Sequence, residues 1–226
     1  MINKELQKRI LSSLILIPVS FFFIIKGSFF FTFFIAICLL ISLYEWHMMS
    51  KRKIYHIIGI FFILISFYSI YLLRNYDRCC DYLEPGLTFF LIVTLTCIFT
   101  DVGGYVFGKI FKGPKLTKIS PNKTYTGMFG GFFLSIIFVN LFINHISFFT
   151  LYFGNNLNFT NQIFVFVILI SFISQIGDII ISYFKRKSKI KDTGKIIPGH
   201  GGLLDRVDGM IFAFPSSYIL IELGFI

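Results

Sequence analysis

The chain has 226 residues, 56% hydrophobic and 14% charged, with a formal net charge of +10. Soluble domains carry roughly a quarter charged residues and under half apolar ones, so a mean hydropathy of +0.80 excludes a water-soluble globule, a disordered chain and a disulfide scaffold together. What remains is a polytopic helical membrane protein, in which each spanning helix satisfies its own backbone polar groups.

A bilayer core of ~30 Å takes about 20 apolar residues per helix. Taken in chain order, seven runs approach or meet that length, at 10–25, 28–44, 54–73, 87–107, 126–146, 160–181 and 209–226. The first two are short, Pro18 lies inside the first, and only Lys26 and Gly27 part them. They are either a tight helical hairpin or one span plus a re-entrant piece. Residues 1–9 are polar and the run after them has no small-residue cleavage site, so no secretory leader is expected. Cys38 and Cys97 sit in apolar runs, and adjacent Cys79 and Cys80 make a poor staple. No repeat or linker interrupts the chain. It reads as a single integral-membrane domain, with hydrophobic spans over 1–85 and a catalytic portion over 86–226.

Lysine and arginine orient the bundle, because cytoplasmic loops are enriched in them. With the N-terminus inside, 18 of the 21 fall in inner segments, leaving Lys26, Arg74 and Arg78 outside. The predicted fold is therefore an all-α bundle of about seven spans in a lipid bilayer, N-terminus cytoplasmic. The net charge is orientation charge, and no nucleic-acid partner is expected.

Five of the eleven acids, Asp101, Asp178, Asp192, Asp205 and Asp208, fall at or near the cytoplasmic ends of late spans. An acid in a membrane helix costs several kcal/mol unless it faces a partner or a polar cavity. Helix capping and interfacial solvation account for Asp101 or Asp192 singly, but not for five acids at one depth. Gln175, Asp178 and Ser182 share a helix face at i, i+3 and i+7, and Asp205 and Asp208 share another if the seventh helix begins there. Carboxylates from two helices, without a cysteine cluster or zinc-spaced histidines, favour Mg²⁺.

Between these acidic faces runs the most polar stretch of the chain. Its cations suit phosphate groups beside a metal, and Gly199, Gly201 and Gly202 around His200 allow backbone N–H groups to approach an anion. Lys187, Lys189 and Lys195 are read as orientation charge.

This stretch resembles the signature of phosphatidate cytidylyltransferases (CDP-diacylglycerol synthases). Ser182, Lys185 and Arg186 match S-x-hydrophobic-K-R; after four residues Lys191, Asp192 and Gly194 match K-D-x-G. Pro198, His200, Gly201, Gly202, Asp205, Arg206 and Asp208 then match P-x-H-G-G-x-x-D-R-x-D. Thr100 to Tyr105 and Ser120 to Gly127 look like the same family, except that Thr126 stands where an acid is expected, so no acid's role transfers to that position. The resemblance covers roughly the C-terminal 130 residues.

It implies the reaction CTP + phosphatidate → CDP-diacylglycerol + pyrophosphate at the cytoplasmic face of a bacterial inner membrane, with Mg²⁺, a possible second cation and a possible homodimer. Asp178, Asp205 and Asp208 are the expected metal ligands. Lys185, Arg186, Lys191, Arg206 and His200 are the phosphate contacts. Ser120, Lys123 and Thr124 bind one substrate, with Ser182, Gly201 and Gly202 lining the site. Asp101 and Asp192 are weaker candidates, Asp101 for the site wall or the second cation.

Two other readings stand beside it. Asp205 to Ala213 faintly resembles the metal motif of CDP-alcohol phosphatidyltransferases, with Phe214 where arginine is needed. A cation-coupled transporter also carries acids in its spans, but near the midplane and between repeats. Gly103 to Lys109 spells G-x-x-x-x-G-K, yet Ile110 follows where a P-loop needs Ser or Thr.

Overall fold

The computed structural model describes residues 4–51, 53–76, 85–117, 119–151, 160–199 and 201–226. Among these the regular structure is helical: α1 (Lys4–Lys26), α2 (Ser28–Ser50), α3 (His56–Arg74), α4 (Pro85–Phe111), α5 (Tyr125–Leu151), α6 (Asn161–Lys187), α7 (Leu204–Val207) and α8 (Met210–Glu222). The first six are long and apolar enough to cross a bilayer.

The two alternatives for the N-terminal runs resolve in favour of a hairpin of two full helices. Gly27 makes the turn at φ +62°. Arg74, buried at the end of α3, donates from Nε to the Ile24 carbonyl at 3.1 Å and from Nη2 to that of Ile25 at 3.4 Å, so the open end of α1 is capped.

The run expected to form a seventh span over 209–226 gives the 13-residue α8, about 20 Å long at ~1.5 Å per residue. That falls short of the ~30 Å core. The stop is local: Gly224 takes φ +72° and the Phe225 amide folds back onto the Leu220 carbonyl at 3.0 Å, the left-handed termination that glycine permits.

Helices α4 and α5 pack backbone against backbone. A Cβ on Gly103 would lie 2.8 Å from Gly131 Cα, and one on Gly127 would lie 2.6 Å from the Gly104 carbonyl oxygen. Small residues at such a seam let membrane helices approach closely, which is why glycines that mimic a phosphate-binding loop in sequence occur inside a helix. Helix α6 lies against α4, α5 and α8, while α3 packs on α2 and α8. A buried Thr100 to Ser171 hydrogen bond of 2.6 Å ties α4 to α6. The ends of α2, α4 and α6 and the starts of α3 and α5 meet at the lysine-rich end of the bundle, together with α7.

Candidate active site

Helix α6 has 27 residues, more than a bilayer core needs, and its last turns carry Ser182 and Lys185 on the face of Asp178. Ser182 Oγ donates to Asp178 Oδ1 at 3.2 Å. From the loop between α4 and α5, Lys123 pairs with Asp178 Oδ2 at 2.5 Å and donates to the Gln175 carbonyl at 3.3 Å. About two turns beyond Asp178 on α6, buried Lys185 places Nζ 2.9 Å from Asp205 Oδ1 and 3.7 Å from Asp208 Oδ2. Asp205 and Asp208 thus face the same cation, as their spacing required.

The three aspartates are not equivalent. Asp205 Oδ2 accepts the Thr193 amide at 2.8 Å and the Gly202 amide at 3.1 Å, in addition to the Lys185 contact on Oδ1. Its carboxylate is committed to folding the loop. Among the described residues Asp208 accepts from the adjacent Gly209 amide, at 2.9 Å, besides its longer contact to Lys185. Burial pushes the Asp208 carboxyl well above the usual carboxylate range, and the charge of Asp178 raises it further against the opposing pull of Lys185. Asp101, on α4, lies within electrostatic reach of Asp178, Lys123 and Arg206.

The remaining expected site residues surround this centre. Arg186, Lys191, Asp192 and Arg206 are exposed; Ser120 is half-buried, its amide bonded to Thr117 Oγ1 at 3.1 Å. Thr124 Oγ1 accepts the Gly127 amide at 3.1 Å and so caps α5. Thr126 Oγ1, in place of the acid expected from the resemblance, accepts the Gly113 amide at 3.3 Å. Two amides that the glycine-rich segment offered to an anion are occupied: Gly201 N–H by the Ile197 carbonyl at 3.1 Å, and Gly202 N–H by Asp205. His200 lies outside the described residues. Lys187, expected to be orientation charge, sits over the rings of Tyr55 and Tyr183 at 5.0 and 5.8 Å, away from the acids.

Among the described residues no group of three or more His, Cys, Asp or Glu is drawn close enough to hold a metal ion. Lys123 and Lys185 stand among the three expected ligands instead. The donor chemistry fits a hard cation at Asp178 and Asp208, whose charges act on each other and on Asp101. Asp205 fits it least, because its oxygens already accept three N–H groups.

Glu45 was missed by the sequence reading, which placed it just beyond the second predicted span. Helix α2 instead continues to Ser50, and Glu45 is 1% exposed within it. Its Oε2 accepts from Thr193 Oγ1 at 2.9 Å and from the Leu204 amide at 2.8 Å, and its Oε1 accepts the Leu203 amide at 2.9 Å. The available signal was an acid next to a membrane run, which must find partners.

The described helices form a bundle with six apolar helices long enough to cross a membrane, which gathers lysine–aspartate pairs from separate segments at one end and so defines a polytopic membrane protein. The chain belongs to the cytidylyltransferase family, which it matches over residues 7–84 and 56–224. It is 35% identical over 225 residues to a phosphatidate cytidylyltransferase of Rickettsia bellii, covering 96% of this chain and 91% of that one. It is 36% identical to that of Rickettsia typhi, covering 96% and 92%. It is 40% identical over 139 residues to that of Staphylococcus haemolyticus, covering 61% and 50%.

Proposed function

We infer that the protein transfers the cytidylyl group of CTP to phosphatidate, giving CDP-diacylglycerol and pyrophosphate. The observation that carries this reading is the meeting of Lys123–Asp178 and Lys185–Asp205/Asp208 at one end of the bundle, on segments matching the family signature. An oxygen of the lipid phosphate attacks the α-phosphorus of CTP in line. The bond from the α-phosphorus to the bridging oxygen breaks, and pyrophosphate leaves with the electron pair. A phosphate monoester has its second pKa near ~6 and is already nucleophilic at neutral pH, so the protein needs no strong base. It positions two polyanions and offsets their repulsion.

Lys123, Lys185 and Arg206 supply that positive charge, and exposed Arg186 and Lys191 extend it toward the nucleotide. Asp178 and Asp208, with Asp101 nearby, would hold Mg²⁺, which supplies charge neutralisation on the phosphates. Lys123 and Lys185 also keep these acids apart before substrate arrives. The preponderance of lysine and arginine at this end supports a cytoplasmic orientation in a bacterial inner membrane, where soluble CTP meets a lipid headgroup.

Purified protein in detergent with CTP, phosphatidate and Mg²⁺ tests the reading. Equal amounts of CDP-diacylglycerol and pyrophosphate are expected. Consumption of added CDP-diacylglycerol with release of CMP would instead reveal a phosphatidyltransferase, and neither product would leave a transporter.

A further inference from the structure

Glu45 is a buried acid of α2 with no place in the mechanism above, yet it reaches the loop that presents the site. Both of its carboxyl oxygens accept hydrogen bonds from the far end of the sequence, from Thr193 Oγ1 and from the amides of Leu203 and Leu204. Those two amides open α7, the single turn that carries Asp205 and Arg206 and leads directly to Asp208. Thr193 is held on both sides, its hydroxyl by Glu45 and its amide by Asp205 Oδ2 at 2.8 Å. The fit around the carboxyl is close: a Cβ on Gly194 would lie 2.5 Å from Glu45 Oε1, and one on Gly202 would lie 2.5 Å from Oε2. These signature glycines therefore leave room for an acid more than 140 residues away in sequence.

We propose that Glu45 is a positioning residue for the cytidylyl transfer: from α2 it fixes the loop from Thr193 to Leu204, and through α7 it sets where Asp205, Arg206 and Asp208 stand relative to Lys185. The proposal rests on the reaction inferred above. Its chemical logic is acceptor count. A carboxylate offers acceptors on both oxygens, whereas glutamine turns one oxygen into an NH₂ group facing a donor, and a buried donor facing a donor is unsatisfied at both ends. Glu45→Gln therefore opens the loop although it preserves shape. Thr193→Ser keeps the hydroxyl and Thr193→Val removes it.

The experiment combines amide hydrogen exchange, without nucleotide or metal, with steady-state kinetics on the full-length protein in detergent. In Glu45→Gln, exchange over 193–208 is expected to quicken at least about tenfold while α4 and α5 peptides keep their wild-type rates. The same variant should lose at least about tenfold in kcat, and the Mg²⁺ concentration for half-activation should rise. Thr193→Val should follow it in part, and Thr193→Ser should stay within about twofold of wild type. Wild-type exchange over 193–208 in Glu45→Gln would overturn the proposal, as would a kcat loss accompanied by faster exchange in every helix. If Glu45→Gln does not fold, equal behaviour of Thr193→Val and Thr193→Ser would overturn it. A wild type that makes no CDP-lipid but shows the exchange contrast would contradict the reaction and leave the loop contact standing.

Discussion

Lys123 of the α4–α5 loop and Asp178 of α6 form an ion pair at 2.5 Å, joining two segments that resemble the same family in separate stretches of sequence. Both side chains are about a quarter exposed, at 24% and 25%, so the pair stays within reach of solvent. On the function proposed above, such a pair would offer its acid to a cation and its lysine to a phosphate once substrate arrives.

Lys123→Gln should accordingly lose at least about tenfold in kcat/KM, ~1.4 kcal/mol of transition-state stabilisation. Combined with Asp178→Asn, the two losses should be clearly less than additive, because the residues act on one another. Kinetics of the two single variants and the double variant check this; simple additivity would separate Lys123 from the site.

Asp178→Asn and Asp208→Asn should each abolish most activity while the protein still inserts, since the amide keeps shape but removes charge that holds a cation. They should differ from Asp205→Asn in stability. The raised carboxyl of Asp208 means that the folded state disfavours its charged form, so this group opposes folding increasingly as pH rises through its ordinary range and beyond. Neutral asparagine removes that penalty, and Asp208→Asn should raise Tm in EDTA at neutral pH. Asp205→Asn should lower it, because three N–H donors lose a charged acceptor. Thermal unfolding followed by intrinsic fluorescence distinguishes the two directions.

Within the basic loop the charges should separate into two groups. Lys185→Gln and Arg206→Gln should each cost at least about tenfold in kcat/KM, Lys185 because it is the cation shared by Asp205 and Asp208, and Arg206 because it stands on α7 between those two aspartates in sequence and its charge reaches Asp101. Lys187→Gln should be far milder, since that ammonium rests on Tyr55 and Tyr183. Rates against both CTP and phosphatidate decide the matter.

The cytoplasmic orientation proposed from the lysine and arginine asymmetry is open to direct labelling. In a cysteine-free background, a cysteine replacing exposed Lys189 should react with an impermeant thiol reagent only after the cytoplasmic side is opened, and one replacing Asn75 should react in intact cells. Labelling of both from one side would contradict the span count between them.

Much of this organisation was legible because membrane helices are written in composition: run length located six helices, and the Asp178–Ser182 spacing placed two bonded side chains on one face. The ion pairs of Lys185 with Asp205 and Asp208 were not among the readings of the sequence, which gave the lysine to a phosphate and the aspartates to a metal. Contacts between distant segments were likewise not legible. Nothing near Glu45 in sequence shows that it meets Thr193, and the loop glycines looked like room for an anion when Gly194 and Gly202 make room for that carboxyl. Asp205 looked equivalent to Asp208 because spacing reports which face a residue shares but not how many donors point at it. The short α8 was hidden by an apolar run that continues past the turn at Gly224.

The central claim, attack of a lipid phosphate on the α-phosphorus of CTP at this site, is tested most directly by following two labels through the purified enzyme with phosphatidate and Mg²⁺. Label at the α-phosphorus should pass into the organic phase as CDP-diacylglycerol, and label at the γ-phosphorus should remain in water as pyrophosphate, with both transfers lost in Asp178→Asn. Transfer of the γ-label to lipid, or an undiminished α-transfer in Asp178→Asn, would contradict the account.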